Sequence, residues 1–248
     1  VIDPGPLLDD HVDAILNALE PQERISHILV THTHLDHSPA CTPLQARTKA
    51  PIYGRPPPKP ENFDGPRLEE DADDDFKPNH IVADGDIIGG QDWTLEAVAT
   101  PGHMANHVCY ALREEKTLFT GDHVMGWSTS IIAPPDGNMQ DYMASLARLL
   151  TRDDEVYWPT HGPCIPNPKE FVEGYIQHRQ NREHQVLTRL AAGDKRITAM
   201  VKVMYADIDK KLHPAAALSV FAHMQDLVAR KRVACSGKPA LDSEFTLV

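Results

Sequence analysis

The chain has 248 residues, 41% of them hydrophobic, enough to bury a full core in one or two domains, and a formal net charge of −12. No apolar run is long enough to cross a bilayer. The four cysteines, Cys41, Cys109, Cys164 and Cys235, are scattered without a CxxC pair, which argues against a disulfide framework and a cysteine zinc site and fits a soluble cytoplasmic protein.

Asp9 to Leu19 reads as a helix, with Val12, Ile15, Leu16 and Leu19 on one face. Ile25 to Val30 reads as a strand that runs into Thr31-His32-Thr33-His34-Leu35-Asp36-His37. Three imidazoles and a carboxylate this close together form a donor set that suits zinc and exceeds what one ion can use. His32 and His34 can serve one ion, Asp36 and His37 another. Each ion still lacks a ligand, and two neighbouring cations want an anionic bridge. The proline-rich run from Pro51 to Pro66 and the acidic stretch Glu69 to Asp75 read as a solvated loop covering one flank of this rim.

Trp93 to Ala99, Val108 to Leu112, Thr117 to Phe119 and Glu155 to Trp158 read as strands, and Asp141 to Leu150 as a helix with Tyr142 and Leu146 facing inward. Three of these strands lead into Gly or Pro turns that carry another donor. They are Thr100-Pro101-Gly102-His103, Thr120-Gly121-Asp122 and Pro159-Thr160-His161-Gly162. Strands separated by helices imply a layered α/β architecture. Cys164, three residues past His161, reads as a small buried thiol.

From Asn167 the pattern turns helical. Asn167 suits an N-cap, Pro168 the first helical position, and Gly193 the end of a long helix carrying Phe171, Tyr175, Val186 and Leu190. A second helix runs near Thr198 to Tyr205, and a third starts at Pro214 and carries Leu218, Phe221, Met224 and Leu227. Arg232 to Cys235, a Ser236-Gly237 turn and Phe245 to Val248 then read as a hairpin. Three helices and a hairpin are the winged-helix order.

The motifs THTHLDH, TPGH, TGD and PTHG, in this order over residues 31 to 162, resemble those of the metallo-β-lactamase superfamily. The resemblance implies an αββα sandwich over residues 1–166 and a small winged-helix-like domain over 167–248. It implies two zinc ions, one on His32, His34 and His103, the other on Asp36, His37 and His161, with Asp122 between them. Flavin-associated di-iron members carry Glu where this chain has His34, and true β-lactamases of the superfamily lack the bridging Asp, so neither activity is implied. The tail, above all Tyr175-Ile176-Gln177-His178-Arg179-Gln180-Asn181-Arg182-Glu183, resembles the beta-lactamase-like protein 2 branch, which includes endoribonucleases acting on single-stranded RNA. The opening Val1-Ile2-Asp3-Pro4-Gly5 looks like the strand and turn before the first motif. The family's first strands, and any targeting segment, are therefore expected to precede it.

The chemistry expected is attack on an ester or phosphodiester by zinc-bound hydroxide, with Asp36 orienting or shuttling a proton. Cleavage of single-stranded RNA is the leading expectation. The alternatives are a small-molecule lactone, thioester or ester hydrolase, a mononuclear iron dioxygenase, and a nucleic-acid-binding protein with a vestigial site. Arg230-Lys231-Arg232 offers a guide for a polyanion. Against that, residues 1–169 hold 12 Lys+Arg and 27 Asp+Glu, a charge of −15, and residues 170–248 carry only +3. The tail reads equally as a packing or dimerisation module, which leaves a homodimer open. His107 and His123 lie near ligands, where they are candidates for orienting them or touching substrate. His11, His27, His80, His178, His184, His213 and His223 read as packed or exposed side chains.

Overall fold

A computed structural model describes residues 1–57 and 72–248. One strand explains its layering. Val108 and Tyr110 pack with Leu29, Val82, Leu95 and Ala97, while Cys109 and Ala111, on the opposite face, pack with Leu118, Tyr142, Leu146 and Val172. Successive strand residues point to opposite faces, so this strand has a second sheet on one side and helices on the other.

The smaller sheet pairs Ile28–Leu29 (β1), Ile52–Gly54 (β2) and His80–Ile81 (β3) in parallel, and Ile2 bridges to Leu29. Asp9–Asn17 (α1) and Cys41–Thr48 (α2) pack against it through Val12, Leu44, Ile28 and Val30. The larger sheet runs Ile87–Gly89 (β4), Thr94–Ala99 (β5), Val108–Leu112 (β6), Thr117–Gly121 (β7) and Val156–Pro159 (β8). Its pairs are antiparallel except β7–β8. Met139–Leu149 (α3) and the first half of Pro168–Ala191 (α4) cover its outer face. The order helix, sheet, sheet, helix is the αββα sandwich that the resemblance implied.

Topology gathers the donors. Because β5 and β7 each run antiparallel to β6, and β8 runs parallel to β7, the carboxyl ends of β5, β7 and β8 share one edge. His103, Asp122 and His161 each follow one of those ends. Two glycines make this edge compact. A Cβ on Gly102, at φ +141°, would lie 2.3 Å from the Cα of Tyr142, and one on Gly121, at φ +51°, would lie 2.6 Å from Thr31 Oγ1.

The rest of the chain builds a second core. The second half of α4, Ile197–Met204 (α5), His213–Ala229 (α6) and the antiparallel pair Val233–Cys235 (β9) and Phe245–Leu247 (β10) enclose Val186, Ile197, Met200, Phe221, Leu227 and Phe245. Helix α4 thus belongs to both cores, with Val172 and Tyr175 in the first and Val186 and Leu190 in the second. It ends at Gly193, where the amide of Gly193 bonds to Leu190 O and that of Asp194 to Arg189 O, the Schellman arrangement that needs a left-handed residue. Asn167 occupies the N-cap position without a side-chain capping bond.

Some expectations need correction. Of the strand expected over Ile25 to Val30, only Ile28–Leu29 is assigned to a strand. Strand β2 lies inside the proline-rich run, and α2, β3 and β4 were not foreseen; the strands have only two or three residues, too few to show an alternating pattern. The remainder of the expected flank loop, residues 58–71, lies outside the described residues. The end of the acidic stretch is docked: Asp73 Oδ2 accepts from Ser38 Oγ at 2.8 Å, and its amide donates to Thr33 O at 2.6 Å. Among the described residues no helix is long and apolar enough to cross a membrane.

Candidate metal centre

All seven side chains singled out in the sequence meet at the shared edge. His32 Nε2 and His103 Nε2 lie 3.0 and 3.1 Å from His34 Nδ1. Beside them, Asp36 Oδ2 is 3.0 Å from His161 Nε2, and Asp36 Oδ1 is 3.4 Å from His37 Nε2. Asp122 stands between the two groups, its Oδ2 lying 3.5 Å from His37, 3.6 Å from His161 and 3.9 Å from His103.

Outer hydrogen bonds set the histidine tautomers. Thr31 Oγ donates to Asp3 Oδ2 at 2.7 Å, so it accepts from His32 Nδ1–H at 3.0 Å and leaves His32 Nε2 as a lone pair. His103 Nδ1–H donates to Ile131 O at 2.6 Å, which likewise bares its Nε2. Both lone pairs face His34 Nδ1. A proton there serves at most one of them well, whereas one cation serves all three nitrogens.

The second group depends on Asp3, which the sequence reading passed over as part of an opening turn. Asp3 Oδ2 accepts from His37 Nδ1–H at 2.9 Å and from Thr160 Oγ at 3.2 Å, and Oδ1 accepts from the Thr31 amide at 2.7 Å. Asp3 adopts φ +47°, a left-handed conformation that Asp tolerates better than most residues. Asp3, His32 and His37 could themselves form a metal-binding trio, but these hydrogen bonds already engage both carboxylate oxygens. Asp3 is thus the residue that aims His37. The signal available in sequence was an Asp directly after an apolar pair and before Pro-Gly.

The two groups differ electrostatically. Burial, then the neighbouring His37, His34 and His103, push His32 well below the ordinary imidazole value. Burial, then His103 and His37, push His34 down to about 3. Around His37 burial also opposes charge, yet the Asp3 carboxylate and hydrogen bonds to Asp122, Asp3 and Asp36 raise it well above its ordinary value. Burial works against ionisation of Asp36 and Asp122, but hydrogen bonding and charge from His37 outweigh it and hold both below the usual carboxylate range. Neutral lone pairs on one side and surplus negative charge on the other both fit a cation. Among the described residues the buried His37 Nε2 makes no hydrogen bond of full geometry, its carboxylate neighbours standing 3.4 and 3.5 Å away, and buried Asp122 Oδ1 has no partner.

His107 and His123 are fully buried, which removes them as substrate contacts. His107 accepts the Asp122 amide on Nε2 at 3.2 Å and donates from Nδ1 to Thr100 Oγ at 2.9 Å, so it orients Asp122. His123 packs on the Tyr142 ring at 4.7 Å, and both its nitrogens lack partners among the described residues. Cys164 is exposed, not buried. The sequence reading also missed an apolar rim. Trp127, 69% exposed, stacks on His161 with ring centres 5.6 Å apart, and Leu35 and Ile131, each next to or bonded to a donor, are exposed as well.

This geometry accords with known proteins. Residues 1–161 match the Metallo-beta-lactamase superfamily and residues 197–240 the Beta-lactamase associated winged helix domain. The chain belongs to the metallo-β-lactamase superfamily and is a metal-dependent hydrolase with an appended winged helix. It is 30% identical over 215 residues to the Beta-lactamase-like protein 2 homolog of Caenorhabditis elegans, covering 84% of this chain and 67% of that one. It is 32% identical over 178 residues to an Atrochrysone carboxyl ACP thioesterase of Aspergillus fumigatus, covering 70% of this chain and half of the relative. The crystal structure of a Beta-lactamase domain protein from Burkholderia ambifaria superposes with a TM-score of 0.79 over 99% of this chain and 81% of its own. At 17% identity that likeness speaks for the fold alone.

Proposed function

We propose that this protein is a dinuclear zinc hydrolase that cleaves thioesters or related acyl esters. His32, His34 and His103 would hold one ion and Asp36, His37 and His161 the other, with Asp122 serving both. When bound, the zinc ions supply Lewis acidity that acidifies water and polarises the scissile carbonyl. Asp36, the half-exposed carboxylate of the set, orients the attacking water, accepts its proton at Oδ1 and returns it to the leaving sulfur or oxygen. Asp3 keeps the His37 ring aimed, and His107 does the same for Asp122. No Ser or Cys nucleophile is required.

The observation that carries the acyl reading is the exposed apolar rim of Leu35, Trp127 and Ile131, which suits an acyl chain better than a phosphate backbone. The thioesterase relative supports the same substrate class. The RNA reading loses support at the basic cluster of residues 230–232, because Arg230 is already paired with Asp226 at 2.7 Å and with Glu183 at 2.5 Å. The test is a parallel assay of zinc-loaded protein on an acyl thioester, an acyl-homoserine lactone and a single-stranded RNA, with Asp122→Ala as control. Thioester cleavage that stops on chelation, returns with Zn²⁺ and vanishes in the control is expected. RNA cleavage alone meeting those three conditions would overturn the reading, as would thioester turnover in fully demetallated protein.

A further inference from the structure

The segment that most resembles the beta-lactamase-like protein 2 branch, residues 175–183, has no part in the chemistry above, yet it lies against the centre. Tyr175 Oη accepts from the Met125 amide at 3.0 Å and donates to Met125 O at 2.7 Å or Ser128 O at 2.5 Å. Arg179 donates to Ser130 O and lies over the Tyr142 ring at 5.3 Å. Ser130 Oγ in turn donates to Asp122 O at 2.5 Å, and the next carbonyl, Ile131 O, holds His103. Helix α4 therefore braces the loop that follows Asp122 and holds the His103 ring.

On the other side of this loop is a cleft of about 310 Å³. His178, Arg179 and Arg182 line it together with Ser130, Tyr205 and Ser219, and Ile131 forms part of the wall. Its charge is unusual for a chain of net −12. Neither Arg179 nor Arg182 has a carboxylate partner among the described residues, whereas Arg152, Arg189, Arg196 and Arg230 each do. Arg179 is only 4% exposed, and its Nε has no hydrogen-bond partner among the described residues. Behind it, His223 is also buried, and neither ring nitrogen has a partner among the described residues. Arg182 is half-buried and held in place by the Tyr205 ring at 4.6 Å and by Gln185 Oε1 at 2.9 Å. A buried guanidinium bonded only to neutral groups keeps an uncompensated charge, which is costly unless an anion completes it. Arg179 and Arg182, within one helical turn, carry more positive charge than a single carboxylate neutralises, and arginine pairs geometrically with phosphate.

We infer that this cleft is a binding site for a phosphate group carried by the substrate, remote from the scissile bond and on its leaving side, so that the preferred thioesters are those whose thiol carrier is phosphorylated. The inference rests on the thioester reading, but its test does not require turnover. The metal-loaded full chain is titrated calorimetrically with two thioethers that cannot be hydrolysed, S-ethyl coenzyme A and S-ethyl-N-acetylcysteamine, the second lacking every phosphate. The first is expected to bind tighter by about tenfold or more. Arg182→Ala should abolish most of that difference, and Arg182→Lys should restore part of it, with melting curves confirming that both variants fold. Equal affinity for the two thioethers in the wild type would overturn the inference, as would a preference that survives in Arg182→Ala. Arg182-dependent binding of a single-stranded RNA oligomer without any preference between the thioethers would also overturn it. Failure of the hydrolase reading looks different: no thioester is turned over, whatever the thioethers do.

Discussion

The two halves of the proposed metal centre achieve the same end by opposite means. His32, His34 and His103 are buried imidazoles whose lone pairs are bared by a threonine hydroxyl and a backbone carbonyl. Asp36 and His161 sit nearer solvent and, with the buried His37, rely on charge, Asp3 supplying a further carboxylate from behind. Rigid neutral donors favour a permanent ion, and a half-exposed anionic set favours one that exchanges. Asp122 reaches both halves, so its loss should have the largest effect. Asp122→Ala is expected to lower kcat/KM about a thousandfold or more and to reduce metal content. A variant that keeps two ions and most of its rate would break the comparison outright.

Asp3→Asn tests chiefly the second half, because Asp3 bonds His37 directly and reaches His32 only through the Thr31 hydroxyl. It keeps the shape of the carboxylate but removes the charge behind His37. Competition with a chromogenic chelator should then show one metal equivalent weakened about 10- to 100-fold and the other little changed. Equal weakening of both would mean that the halves are not independent.

The difference between the halves also governs what could be read from the sequence. The seven donors were legible because all of them follow or sit within a strand-turn motif, and His-x-His-x-Asp-His packs four into six residues. The sandwich was legible where strands were long enough to alternate, as in β5 and β6, and illegible in β3 and β4, which pair over only two or three residues. Asp3, Trp127 and the Arg179 brace were not legible as site residues. Asp3 reaches His37 across 34 positions and Arg179 reaches Ser130 across 49. Such contacts are fixed by tertiary packing and leave no local pattern.

His223 tests the physics of the buried half away from any proposed metal ligand. Burial, followed by the neighbouring Arg179, His178, Arg230 and Arg182, pushes it down to about 3. Its folded value lies below its unfolded value, so it is neutral when folded and its contribution is complete above the ordinary imidazole value. That contribution is lost progressively as pH falls from about 6.5 toward 3. Between pH 7 and 5 this one group should cost about 2 kcal/mol of unfolding free energy. In His223→Leu, urea melts at the two pH values should differ by correspondingly less. A variant with the wild-type slope would show that other groups carry the acid sensitivity.

The smallest effect should come from the exposed half's apolar cover. Trp127 stacks on His161 and leaves most of its ring to solvent, so Trp127→Ala removes a surface for the acyl chain without removing a donor. For a long-chain thioester KM should rise about threefold to tenfold, the worth of one aromatic contact, with kcat nearly unchanged. An acetyl thioester, too short to lie across the indole, should show almost none of this increase. If instead both substrates lose kcat equally, Trp127 acts by fixing the His161 ring, and the exposed half depends on packing as much as the buried half does.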